Sequence, residues 1–417
     1  MQRQFTGPQA VLVVYDATAM DRPKLRKLER HRLERDGEAL LVLRDPLGVS
    51  EPVAFPEAAA PLLDLLSGER TPDQLRQTLL FRGQHFEREE VDGLLQDLGD
   101  AGLLDDAKFR DRWRSMHAEF IAAKTRPSRF AGLLYPADPT ELAEHLEGLL
   151  GPAKMRLQAG SDLTGIVIPH QPFERCAELL DRTLCGLPEA TEIDCVVVLG
   201  TDHHPGLTPF TTTDKSFETP LGPVASDRAR VAKLSRRIEW IRREEIRHRE
   251  AVSIEIAAVL LRYLYGSKTP PILPILCGHS ALLVGDAGAA AEEFQALCAD
   301  LSENPRVLWL AVAELGHCGP AYGRPPIEEH TAELLAERDR GILDALARAQ
   351  LHELQRRCLD DDMTLGIPSG AAVLMTLARL LAVGFRGQLS AYEILSAPGD
   401  GDGLLGIAGL RLHRPAS

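Results

Sequence analysis

Three histidines stand shortly after apolar runs. His170 closes "GIVIPH", His203 follows "VVVLGTD" and His317 follows "LAVAELG". A run of this kind that ends in Gly or Pro and polar groups reads as the exit of a strand, and open parallel sheets place their ligands at such carboxyl ends. Residues far apart in the chain can therefore meet in one crevice. Neutral imidazoles suit iron, copper and zinc, and two His with one carboxylate leave coordination positions open for dioxygen or substrate. We take His170, His203 and His317 as the metal-ligand set. Asp202 and Glu314 are the nearby carboxylates, either as ligands or as acceptors that orient an imidazole. His317, with Glu314 beside it, is also the candidate general acid or base, because imidazole titrates near neutral pH. His204 faces away from His203 on an extended chain and reads as a supporting residue. At each position the plain alternative is a hydrogen-bonded structural histidine; three at equivalent strand exits tip the balance toward a site.

The elements that must carry these residues follow from patterning. From 127 to 417, the strands "GIVIP", "DCVVVLG", "PPILPILCG" and "RVLWLAVAE" alternate with helical stretches such as "PFERCAELLDRTL", "EAVSIEIAAVLLRYLYG" and "AGAAAEEFQALCADL". The expectation is an α/β domain with a mostly parallel sheet flanked by helices. "GFRGQLSAYEILSA" and "GLLGIAGLRLHR" read as a closing pair of strands joined by a Gly-rich turn.

Residues 23 to 109 read as a small α+β domain of winged-helix character. "EALLVLRDPLGVSEPVAF" is a hairpin around Asp-Pro-Leu-Gly. One helix ends at Ser67-Gly68, and the next starts with Thr71 as N-cap and Pro72 at its first position. "EREEVDGLLQDLGDAGLL" is a third helix. Residues 1–22 form an N-terminal extension, and 110–126 a charged linker helix.

Lys and Arg total 47 against 61 for Asp and Glu, a net charge of −14 that disfavours a general nucleic-acid binder. The 7 Cys include no CxxC pair and do not describe a disulfide framework. The N-terminus lacks the apolar core of a signal peptide, and no apolar run approaches the length of a membrane span. A soluble cytoplasmic protein is expected. Neither HExxH nor GxSxG occurs, which weakens zinc-peptidase and serine-hydrolase readings.

The series "SRFAGLLYPADPTELAEHLEGLL", "GIVIPHQPF", "VVVLGTDHHPGLTPF", "FETPLGPVASD", "SIEIAAVLL", "PILPILCG" and "ELGHCG" resembles the Memo family, whose bacterial members include the AmmeMemoRadiSam system protein B. The resemblance covers about residues 127 to the end. It implies the fold of the LigB-like class III extradiol dioxygenases, which use non-heme iron. His170 then matches the family's "PHAG", His203 its "GxxHH" and His317 its "SSDxxH". The chain departs from the pattern in several places. "PHAGY" is here "PHQPF", "EHSxE" is "AVSIE" with Ala251 and Val252, the aspartate is Glu314, and the "CG" cysteine falls at Leu365. Leu cannot replace a thiolate ligand. Glu314, Cys318 and His248 are the residues that can compensate, and Cys318 has the alternative of being a buried apolar residue. Ser253 and Glu255 retain the family's "SIE" and belong to the pocket surroundings in this reading, while "TPLG" at Thr219–Gly222 is a turn.

The resemblance implies iron as Fe2+, with copper as an alternative, in redox or oxygenase-type chemistry on a peptide or aromatic substrate. AMMECR1-like and radical SAM proteins are implied partners. The segment 23–109 resembles the PqqD-like fold, which implies capture of a leader peptide by strand addition. The alternative is a noncatalytic peptide- or partner-binding scaffold with an eroded metal site.

Overall fold

The computed structural model describes residues 21–35, 38–203, 206, 208–278, 301–360, 364–365, 367–381, 385–398 and 402–414. The chain divides into two compact units, Met1–Met116 and His117–Ser417.

In the first unit, strands β1 (Glu29–Arg35), β2 (Glu38–Arg44) and β3 (Val53–Pro56) form an antiparallel sheet with β2 in the middle. The turn after β2 is built by Asp45. Its carboxylate accepts from the backbone N–H groups of Leu47, Val49 and Ser50 and pairs with Arg26 at 2.7 Å. Sequence patterning gives β2 and β3 but not β1, because "ERHRLER" is charged at nearly every position and shows no apolar alternation. Helix α1 (Ala60–Leu63) leads to Gly68, which adopts φ +84°, a conformation that favours glycine. Helix α2 (Pro72–Phe81) begins with Thr71 and Gln74 in a reciprocal capping box. Helix α3 (Arg88–Asp100) turns Val91, Leu95 and Leu98 inward onto Leu62, Leu75 and Leu79. Helix α4 (Ala107–Ala122) is the charged connecting segment.

The second unit is built on one large sheet. Its centre is four parallel strands in the order β5 (Leu163–Ile168), β10 (Val307–Val312), β6 (Cys195–Thr201) and β9 (Ile272–Cys277). Antiparallel strands extend both edges. β7 (Phe210–Thr212) lies beside β9, and β13 (Leu404–His413) lies beside β5 and pairs in turn with β11 (His317–Cys318) and β12 (Arg386–Ser396). A short parallel pair, β4 (Thr125–Arg126) with β8 (Ser216–Phe217), stands apart from this sheet.

The period of two along the strands sets the layering. Val196 and Val198 pack in one core with helices α5 (Pro139–Lys154), α6 (Ala177–Leu184) and α8 (Val252–Tyr265). Val197 and Leu199 pack in the opposite core with α7 (Arg228–Arg237) and the helices Thr331–Ala347 and Ala371–Leu381. A parallel sheet covered on both faces explains why these strands read as continuous apolar runs. Gly200 lets α8 approach: a Cβ there would lie 2.6 Å from both Ile254 Cδ1 and Ser253 Oγ. The helix expected over 287–300 lies outside the described residues. Among those described, no helix is long and apolar enough to cross a membrane.

Candidate functional site

The loops leaving β5, β6 and β10 carry His170, His203 and Glu314 to the carboxyl end of the central strands. His170 is 8% exposed and Glu314 only 2%, whereas His203 is exposed. The two imidazoles face each other, Nε2 to Nε2, at 2.9 Å, with ring centroids 4.9 Å apart, so one nitrogen donates a hydrogen to the other.

Glu314 lies on the other side of His170. Its Oε1 is 3.6 Å from His170 Nδ1 and accepts from the His170 backbone N–H at 3.3 Å and the Gln171 amide at 2.7 Å. Its Oε2 is 3.3 Å from His317 Nε2. Burial alone would raise this carboxyl, but the imidazoles of His170 and His317 and the Gln171 amide outweigh it and hold the acid below the usual carboxylate range. Burial also lowers His170, partly offset by the Glu314 charge, and so favours its neutral form.

His317, on β11, donates from Nδ1 to the Leu315 carbonyl at 3.0 Å while Nε2 faces the Glu314 carboxylate. Both nitrogens therefore look at oxygen acceptors. The Tyr322 ring packs edge-on against it at 4.7 Å between centroids. Burial and the Glu314 charge push the Tyr322 hydroxyl up to about 12.

The expected ligand set is thus only partly brought together. Two imidazoles separated by 2.9 Å stand as two donors to one ion could, but a metal-binding nitrogen must be bare, and both nitrogens of His317 point at acceptors. Glu314 is occupied by Gln171 and the two rings. Asp202 turns to Arg247, whose Nη1 lies 2.6 Å from Asp202 Oδ2. No group of three His, Cys, Asp or Glu side chains able to hold a metal occurs among the described residues. The donor set present there does not fit the iron or copper site that the sequence resemblance implied.

The other expected residues have distinct places. Ser253 donates to the Thr201 carbonyl at 2.8 Å and seats α8 beneath the end of β6. Glu255 is fully buried. It takes hydrogen bonds from Arg126, Tyr135 and the backbone N–H groups of Arg129 and Phe130, binding the chain after β4 to α8. Cys318 donates to the Leu404 carbonyl at 3.7 Å and packs with Leu335 and Leu365, the apolar role rather than the ligand role. His248 does not compensate for the missing family histidine; it is fully buried with Nε2 against the Thr211 carbonyl at 3.1 Å. Ala251 is buried and Val252 opens α8. Thr219–Gly222 is a turn closed by the Gly222 N–H on the Thr219 carbonyl at 2.9 Å. His204 lies outside the described residues.

Sequence reasoning passed over Gln171, Arg175, Arg126 and Arg247. Each acts through a partner distant in the chain, and only the departure "PHQPF" marked one of them.

A sequence profile described as Memo-like protein matches residues 126–408. The chain is 25% identical over 384 residues to a MEMO1 family protein of Aquifex aeolicus, covering 91% of this chain and 97% of that one. It is 25% identical over 283 residues to a MEMO1 family protein of Thermus thermophilus, covering 67% of this chain and 82% of the relative. The Protein memo-1 homolog of Caenorhabditis elegans is 25% identical over 213 residues, 50% of this chain and 57% of that one. With the profile spanning the whole parallel sheet and its histidine exits, the chain belongs to the Memo family.

Proposed function

We propose that this Memo-family chain is a binding protein whose cleft recognises a polar, proton-sharing group of a peptide or partner protein. A phenol, carboxylate or amide has the chemistry to engage it. The observation that carries this reading is the state of the four cleft side chains. His170 and His203 pair through their Nε2 atoms, and Glu314 faces His317 Nε2 at 3.3 Å, so among the described residues no group of three His, Cys, Asp or Glu side chains gathers to hold an ion. An exposed imidazole backed by a buried one exchanges hydrogen-bond partners readily and can donate or accept. Recognition by the N-terminal unit is part of the proposal: β1 and β3 are the edge strands of its sheet, and an edge strand can accept an extended peptide through backbone hydrogen bonds.

The runner-up is an iron protein with redox or oxygenase-type chemistry. The 2.9 Å approach of the two Nε2 atoms favours it, and it requires a further donor beyond those the described residues bring to that pair. Calorimetric titration of phenol-, carboxylate- and amide-bearing peptides into the full chain and into His203→Ala tests the binding reading. Binding that the variant loses supports it; binding to neither, or equal binding to both, contradicts it.

A further inference from the structure

Glu314 is held in place by a two-residue arm. Arg175 Nη1 donates to Gln171 Oε1 at 2.9 Å, and its other amino group donates to the Ser396 carbonyl at the end of β12. A guanidinium has only donors, so Gln171 must turn its oxygen to Arg175 and its NH2 to Glu314. That NH2 meets Glu314 Oε1 at 2.7 Å. The orientation of the amide is thereby fixed from one end, and the position of the acid from the other. The arm joins the segment after β5, the loop after β10 and the end of β12.

Gln171 directly follows His170, and Glu314 stands three residues before His317. Their contact therefore ties together the two loops that carry these histidines, so amide and acid form one physical unit. We infer that Gln171, steadied by Arg175, is a positioning residue that clamps Glu314 between His170 and His317 and so keeps both Glu314 and His317 from serving the His170–His203 pair. This deepens the reading of the cleft as a site that gathers no third donor among the described residues, and rests on it. Removing the clamp releases two donors at once: the carboxylate, and the His317 nitrogen that faces it.

The test is Co2+ binding to the full chain and to Gln171→Ala, Glu314→Gln and the double variant, read by competition with a chelating dye and by the visible spectrum of the bound ion. Gln171→Met, close to Gln in volume, repeats the comparison if Gln171→Ala does not fold. Outer-shell partners of metal ligands change affinity by roughly 10–100-fold; here the expected change on removing the amide is a gain of about tenfold or more. The gain vanishes in the Glu314→Gln background, because it acts through that carboxylate. A merely structural Gln171 would not produce a gain that depends on Glu314. Affinity in the folded Gln171 variant equal to or below that of the unaltered chain overturns the inference, as does a gain that persists with Glu314→Gln. Tight stoichiometric Co2+ in the unaltered chain would instead overturn the preceding reading of the cleft, and the ratio between variant and unaltered chain still decides this one.

Discussion

His170 and His203 leave different strands, β5 and β6, and meet Nε2 to Nε2 at 2.9 Å, one buried and the other exposed. The asymmetry of exposure separates their effects on stability. His170→Ala removes a hydrogen bond and a packed ring beside a buried acid, and is expected to cost about 1–3 kcal/mol. His203→Ala loses the same hydrogen bond and takes that partner from the buried His170 ring, but gives up less packing, and is expected to cost less, about 1 kcal/mol. Urea midpoints at constant m value report both.

The Arg126–Glu255 pair is fully buried and carries several further hydrogen bonds on the carboxylate. Removing one partner leaves the other charged and enclosed, so Glu255→Gln and Arg126→Met are each expected to destabilise by about 3–5 kcal/mol. Replacing both by apolar residues is expected to cost less than the sum. A double-mutant cycle by chemical denaturation reads the difference, and simple additivity would contradict the pairing.

Burial pushes His248 down to about 3 from an ordinary value of 6.5. Between those values the unfolded chain binds the proton and the folded chain does not, so folding stability is full above the ordinary histidine range and falls as pH drops toward about 3. His248→Asn is expected to flatten that part of the stability profile. Denaturation midpoints at a series of pH values, variant against unaltered chain, isolate this contribution from that of the carboxylates; parallel profiles would contradict it.

At Gly200 the approach of α8 leaves no room for a side chain. Gly200→Ala is expected to cost about 1–3 kcal/mol through overpacking against Ser253 and Ile254. A melting temperature equal to that of the unaltered chain would mean that the helix and strand are less tightly apposed.

Much of the architecture was legible in the sequence because it follows from patterning. The four central strands are apolar on both faces, and Pro169 and Gly200 mark the ends of β5 and β6. Thr71, Pro72 and Gly68 punctuate the first helices through capping and backbone chemistry that act over a few residues. β1 was not legible, since a strand of charged residues carries no period of two in hydrophobicity. The closing pair β12 and β13 was legible from its two strand-like runs around a Gly-rich turn, whereas β7 and β11, 3 and 2 residues long, are too short to show a period.

The site was legible in part for a related reason. Strand exits announce which residues share one end of a sheet, and that brought His170, His203 and Glu314 to one place. They do not announce where side chains turn. Glu314 is drawn to Gln171 and His317, Asp202 to Arg247 and Glu255 to Arg126, each by a partner between 3 and 143 residues away. The resemblance pointed to His170, His203 and His317 as ligands; the structure sets the first two Nε2 to Nε2 and turns His317 toward Glu314 and the Leu315 carbonyl.

The central claim is that the cleft pairs its histidines with each other and with Glu314 instead of presenting three donors to an ion. Anaerobic ferrous titration of the purified full chain, beside the His170→Ala, His203→Ala double variant, tests it most directly. The account predicts no stoichiometric iron in either protein. Iron bound in stoichiometric amount by the chain and lost in the variant would contradict it.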